Sequence, residues 1–277
     1  MGSGESCPPK YNTSMRFLVL GDVVGRPGRA AVTSALPELR ATYAPDHIII
    51  NVENMAHGNG VSPETWRDTS SWGASAYTTG DHAWDNEQGL EILNNPSIPI
   101  VRPANYGPDV AGRGWLTFTS GAYRIALINL QGQVFFKNHP ESPFRTMDAL
   151  LKVPEIAEAD IILIDFQAEA TSEKRALGWH LDGKVTALWG THTHVPTADA
   201  QILPQGTGYI SDIGMTGLHH SVIGADPEAS LKHFRTQLKI KLTYDGTGPR
   251  EVGGLVLDVD SSQGITTHIE HVRLILA

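Results

Sequence analysis

Short apolar runs, several of them β-branched at consecutive positions, recur along this chain, and again and again they stop at a residue able to bind a metal or move a proton. A run that is apolar at every position reads as a strand covered on both faces, which calls for helices packed over a largely parallel sheet. RFLVL (16–20) runs into Gly21-Asp22, and HIIIN (47–51) into Val52-Glu53-Asn54. AYTT (76–79) precedes Asp81-His82, IILID (161–165) ends in Asp165 with Gln167 just beyond, and VTALWG (185–190) leads into Thr191-His192-Thr193-His194. In open α/β sheets the loops that follow such strand ends meet in one crevice, so residues far apart in sequence become neighbours.

Between the strands the spacing predicts helices. One starts near Pro27, with Pro37 expected to kink or end it early. A second opens at Ser62-Pro63, an N-cap followed by proline, and is expected to reach Ala74; another begins at about Ser172. IPIV (98–101) reads as a further strand, residues 115–135 as a β-hairpin about Ser120-Gly121, and LKIKLTY (238–244) and GGLVLDVD (253–260) as later strands. The expectation is one α/β domain over residues 15–277, two packed mixed sheets with helices outside. Residues 1–14 are small and polar, with neither a basic nor an apolar signal segment. They read as a disordered leader or an added remnant, and Met15 as an alternative start.

Composition narrows the function. Of 277 residues 40% are hydrophobic, enough for a sizeable core and against global disorder. No apolar run approaches the roughly 18 residues that span a bilayer, so no membrane partner is expected. A net charge of −9 argues against binding long nucleic acids, whereas a small phosphorylated substrate stays compatible because metal ions can supply the positive charge. The single cysteine, Cys7, rules out an internal disulfide and thiolate metal clusters, and points to a reducing, cytoplasmic setting. Any metal must then be held by histidine, carboxylate or amide. Imidazole suits manganese, iron, zinc or nickel, while Asp22 and Glu53 are hard oxygen ligands able to bridge two ions. Taken singly, His192 and His194 could be ordinary loop residues and Asp22 a turn residue; the series of strand ends favours a metal site. There is no phosphate-binding G-x-x-x-x-G-K-[ST] loop, no G-x-S-x-G nucleophile, and Gly21, Gly25 and Gly28 do not form G-x-G-x-x-G.

The ordered series GDVVGRPGR (21–29), NVENMAHGNG (51–60), GDHAWDN (80–86), IVRPANY (100–106), PFRTMDALL (143–151), DFQAEATSEK (165–174), GTHTHVPTADA (190–200) and the TG…SVIG loop (216–224) resembles the YmdB-like branch of calcineurin-type metallophosphoesterases. The resemblance implies a four-layer αββα sandwich of two mixed β-sheets flanked by helices. It also implies a dinuclear site and hydrolysis of phosphoesters, 2′,3′-cyclic nucleotides included. By the same resemblance Asp22, Glu53, Asn54 and His194 would hold one ion, with Glu53 bridging to a second held by Asp81, Gln167 and His192. His82 would be the catalytic histidine beside the substrate. Two positions depart from the family pattern: Asp81 stands in place of asparagine and Gln167 in place of histidine. Both fall on the second ion, adding negative charge and replacing imidazole by a harder amide oxygen.

The expected cofactors are two divalent ions, iron or manganese first, with magnesium or zinc as alternatives. The expected partner is a small phosphoester or cyclic nucleotide, with a homo-oligomer left open. A second reading, prompted by Asp81 and Gln167, is a non-catalytic or impaired member that binds metal or nucleotide. Asp85 reads either as the orienting partner of His82 or as a helix N-cap, and Arg102 and Arg145 as phosphate contacts or as ordinary loop and surface arginines. His219 and His220 read as lining the site's mouth or as exposed loop.

Overall fold

The computed structural model of the chain describes residues 14–277; residues 1–13 of the expected leader lie outside the described residues, and Ser14 already opens the first strand. The chain builds part of one sheet, then all of a second, then returns to finish the first. The first pass lays down β1 (Ser14–Leu20), α1 (Gly25–Tyr43), β2 (His47–Asn51), α2 (Pro63–Trp66), β3 (Ala76–Thr78), α3 (Leu90–Asn94) and β4 (Ile100–Val101). The second sheet follows as β5 (Trp115–Ser120), β6 (Tyr123–Gln131), α4 (Pro143–Leu150), α5 (Pro154–Ala157), β7 (Ile161–Gln167), α6 (Thr171–Leu181), β8 (Ala187–Thr191), β9 (Gln201–Ile202) and β10 (Gly208–Ile210). The return adds β11 (Thr216–Leu218), α7 (Pro227–Thr236), β12 (Arg250–Asp260) and β13 (Ile265–Leu276). The first sheet has the order β11-β12-β1-β2-β3-β4 with β13 also on β12, and the second β5-β6-β7-β8-β10-β9. Strands β1 to β4 are parallel to one another, as are β6, β7, β8 and β10; the remaining pairs are antiparallel.

Alternation along the strands explains the layering. Phe17 and Val19 of β1 face Leu127, Leu163 and Trp189 across the gap between the sheets. Leu18 and Leu20 turn outward onto Ala31, Val32, Ala35 and Leu39 of α1. On the far side Ile128, Ile162 and Ile164 pack under Met147 of α4 and Leu177 and Leu181 of α6. Three apolar layers imply four structural ones, the expected αββα sandwich.

Local expectations failed where tertiary contacts or side-chain hydroxyls took over. Pro37 does not end α1, which continues to Tyr43. One missing N–H is outweighed by the buried face Ala31, Val32, Ala35, Leu36 and Leu39. Ser62 caps α2 as expected, its side chain accepting from Thr65 N, but the α-helix stops at Trp66 and continues as a 3₁₀ turn over Arg67–Ser71. There the hydroxyls of Thr69, Ser70 and Ser71 bond back to the carbonyls of Trp66, Arg67 and Asp68. LKIKLTY is not a strand. Its backbone finds no sheet edge, Leu238 is 62% exposed, and the segment runs as an irregular strap beside the strand ends.

Candidate metal centre at the strand ends

Parallel strands in both sheets deliver their C-terminal ends to one place. Asp22 follows β1, Glu53 and Asn54 follow β2, Asp81 and His82 follow β3, Gln167 closes β7, and His192 and His194 follow β8. Two groups of ligand-bearing atoms result, Asp22 with Glu53 and His194, and Glu53 with Asp81 and His192, the atoms of each lying within 4.8 Å of one another. Glu53 belongs to both. The expected site residues are therefore all gathered here, Asn54 through its Oδ1 at 3.2 Å from His194 Nε2 and Gln167 through its amide.

Backbone strain makes the convergence work. His192 and His194 take φ of 93° and 64°, a region that non-glycine residues seldom enter, and the turn this imposes lets residues two apart face one cavity. The loop is braced from behind by a buried ion pair. Lys174 Nζ on α6 donates to Thr191 O (2.9 Å) and Asp212 Oδ2 (2.8 Å), and Asp212 accepts from the hydroxyl of Thr193 (2.6 Å). Beneath the site, Asp165 accepts from Asn51 and Thr78 of the first sheet and from Thr191 of the second, so one carboxyl joins the two sheets. Burial pushes that carboxyl up to about 7 against the pull of these three donors.

Charge at the site calls for cations. Asp22 and Glu53 are fully buried, and desolvation raises both above the usual carboxylate range, Glu53 further because Asp81 and Asp22 face it. Asp22 Oδ1 is buried without a hydrogen-bond partner among the described residues. Burial would raise Asp81 too, but the hydrogen bond from His192 and the nearby histidines bring it to about 2. His192 is raised despite burial, chiefly by its hydrogen bond with Asp81. The ion-pair partners of Asp22 and Asp81 are histidines throughout. Buried carboxylates with an orphaned oxygen, beside imidazoles and amides, form a donor set that fits divalent cations.

Gln167 Nε2 donates to Glu53 Oε1 (2.5 Å) and Asp81 Oδ1 (3.1 Å), while Thr191 Oγ1 lies 2.7 Å from its Oε1. His82 Nδ1 sits 2.7 Å from Asp85 Oδ2, and it is Asn86, not Asp85, whose side chain caps the following 3₁₀ turn. Asp85 is thus the orienting partner. Arg102 is buried and donates to the carbonyls of Pro103, Tyr106 and Gly107, so it shapes a loop; Arg145 is exposed on α4 and is not on the cavity wall. His219 pairs with Glu251 at 3.0 Å, His220 lies against it, and neither lines the cavity.

Sequence reading passed over Glu169, whose Oε2 lies 3.2 Å from His192 Nε2, and the Lys174–Asp212 pair. Asp212 follows β10 just as Asp22 follows β1, so the strand-end rule applied to YISD would have found it. Glu169 stands inside the DFQAEA motif. The cluster opens onto a cavity of ≈ 1070 Å³ walled at this end by Glu53, Asn54, His82, Glu169, His192 and His194.

A family described as YmdB-like protein matches residues 18–272. The 2′,3′-cyclic-nucleotide 2′-phosphodiesterase of Bacillus subtilis (strain 168) is 42% identical over 265 residues, covering 94% of this chain and 97% of that protein. The crystal structure of a novel phosphatase of Mycoplasma pneumoniae superposes with a TM-score of 0.88 at 34% identity, over 95% of this chain and 94% of that one. The Haemophilus influenzae NAD nucleotidase shares the fold alone, with a TM-score of 0.56 at 15% identity over 95% of this chain and 50% of that chain.

Proposed function

This chain belongs to the YmdB-like family and is a metal-dependent phosphoester hydrolase, and we propose that its substrates are small phosphodiesters, 2′,3′-cyclic nucleotides among them. The observation that carries this reading is the pair of ligand groups sharing Glu53. The competing reading, an impaired binding module, is not favoured: its close relatives are named for hydrolysis, and Asp81 and Gln167 are drawn into the cluster.

We assign one divalent ion to Asp22, Glu53, Asn54 and His194 and a second to Glu53, Asp81, Gln167 and His192. The amide of Gln167 would join through its oxygen, turned so that Nε2 donates to Thr191 Oγ1, whose one proton goes to Asp165. The carboxylate-rich second group supports manganese or iron, with magnesium or zinc as alternatives. When bound, such ions draw in the phosphate and make a water acidic enough to attack phosphorus.

His82 completes the reaction. Asp85 holds its Nδ1, which leaves Nε2, 3.9 Å from Asp81 Oδ2, to carry a proton toward the cavity. That proton passes to the leaving oxygen as the P–O bond breaks, while water adds to phosphorus and gives up a proton that restores His82, so a cyclic diester opens to a monoester and a free hydroxyl. A cytoplasmic setting is part of this reading, supported by the single cysteine Cys7; among the described residues no helix is long and apolar enough to cross a membrane.

The test is hydrolysis of bis-p-nitrophenyl phosphate by Glu53→Ala and His192→Ala, with metal content measured on the same samples. Both variants are expected to lose activity and bound metal together; unaltered rates would refute the ligand assignment.

A further inference from the structure

The cavity does not stop at the ligands. At ≈ 1070 Å³ it lies at the upper end of small-molecule sites, about 300–1,000 Å³, and holds far more than a phosphate group. Its distal wall carries Ile223, Phe234 and Tyr244, contributed by the SVIG loop, α7 and the strap at 238–245.

Ile223 joins this wall to the ligands. It is β-branched yet holds φ at 49°, a conformation that costs about 1–3 kcal/mol and persists only where the surroundings impose it. Its carbonyl lies 2.9 Å from His194 Nδ1, so the strained backbone orients a ligand, while its side chain stays 49% exposed on the cavity. Phe234 projects from α7 with 66% of its surface open. The Tyr244 ring lies over Gly58, where a Cβ would clash with it, and the strap beneath is tied down by Asp226 N to Thr243 O (2.9 Å) and His57 to Asp245 (3.0 Å). Two aromatic rings and a branched aliphatic side chain, displayed on a cavity whose other end handles phosphate, suit a flat ring with apolar faces.

We propose that Ile223, Phe234 and Tyr244 form a nucleobase subsite, which seats the base of a nucleotide while its cyclic phosphate lies at the Glu53 cluster. This rests on the phosphodiesterase reading and adds selection of the base to it. The SVIG loop then serves both ends of the substrate, its carbonyl holding His194 and its side chain holding the base.

The experiment compares kcat/KM for 2′,3′-cyclic AMP with that for ethylene phosphate, which carries the same five-membered phosphodiester without a base, on the metal-loaded enzyme. Adenosine serves as a competitive inhibitor lacking phosphate. The wild type is expected to prefer the nucleotide. Phe234→Ala and Tyr244→Ala should each cut that preference about tenfold, mainly through KM for the nucleotide, and weaken adenosine inhibition in parallel. A wild type without preference, or a preference that survives in both variants, overturns the subsite and leaves the phosphodiesterase reading standing. Failure of the wild type to hydrolyse either substrate overturns the reading beneath it.

Discussion

At Gly80 the backbone touches the side chains of two proposed ligands: a Cβ there would press into Glu53 Oε2 and the amide of Gln167. Overpacking of this kind costs about 1–3 kcal/mol. Gly80→Ala is therefore expected to lower the melting temperature and to weaken metal binding by calorimetric titration, both in one variant. Asp85 holds His82 through Nδ1, so Asp85→Ala should reduce kcat about tenfold and leave KM nearly unchanged in steady-state kinetics; a change confined to KM would remove its orienting role. Single residues were legible in sequence to an uneven degree. Asp22, Glu53 and Asp81 announce themselves because a polar residue directly after a buried strand has a fixed address in this architecture. The left-handed backbone of His192 and His194 does not, since nothing in Thr-His-Thr-His encodes a positive φ; the surrounding loop imposes it.

Among the elements, α6 is tied to the ligand loop by Lys174 and Asp212, 2% and 1% exposed. Removing one partner leaves a buried charge uncompensated, so Lys174→Met should cost about 3–5 kcal/mol in urea unfolding, with part of it recovered by adding Asp212→Asn. Strands β1 and β12 are joined by a forked pair in register, Arg16 Nε to Asp258 Oδ1 (2.6 Å) and Nη2 to Oδ2 (2.8 Å). The hydrogen bond from Arg16, ahead of its charge, holds the Asp258 carboxyl below its ordinary range. The folded value lies under the unfolded one, so the stabilisation is complete above about pH 3.9 and is lost as pH falls through the folded value. Asp258→Asn should lower the melting temperature by about 1–3 °C at neutral pH, partial exposure of Arg16 keeping the effect small, and the gap to wild type should close in acid. Strands were easier to read than helix ends because β-branched runs are contiguous, whereas the fate of Pro37 and of the strap depended on what lay opposite each.

Over the whole molecule the first sheet supplies Asp22, Glu53, Asn54 and Asp81, and the second supplies Gln167, His192 and His194. Cations that bind this cluster favour the docked sandwich, and by mass action a ligand at 100 times its Kd adds about 2.7 kcal/mol. Manganese should raise the melting temperature and a chelator should reverse it, while Glu53→Ala, which takes a ligand from both groups, should erase most of the gain in differential scanning calorimetry. The order of assembly adds a different consequence. All six strands of the second sheet lie between residues 115 and 210, inside the sequence of the first, and β1 finds its antiparallel neighbour only at Gly254–Asp260. On the ribosome one sheet is complete while the other still shows a bare edge, and that edge stays open to strangers until residues 254–260 are translated.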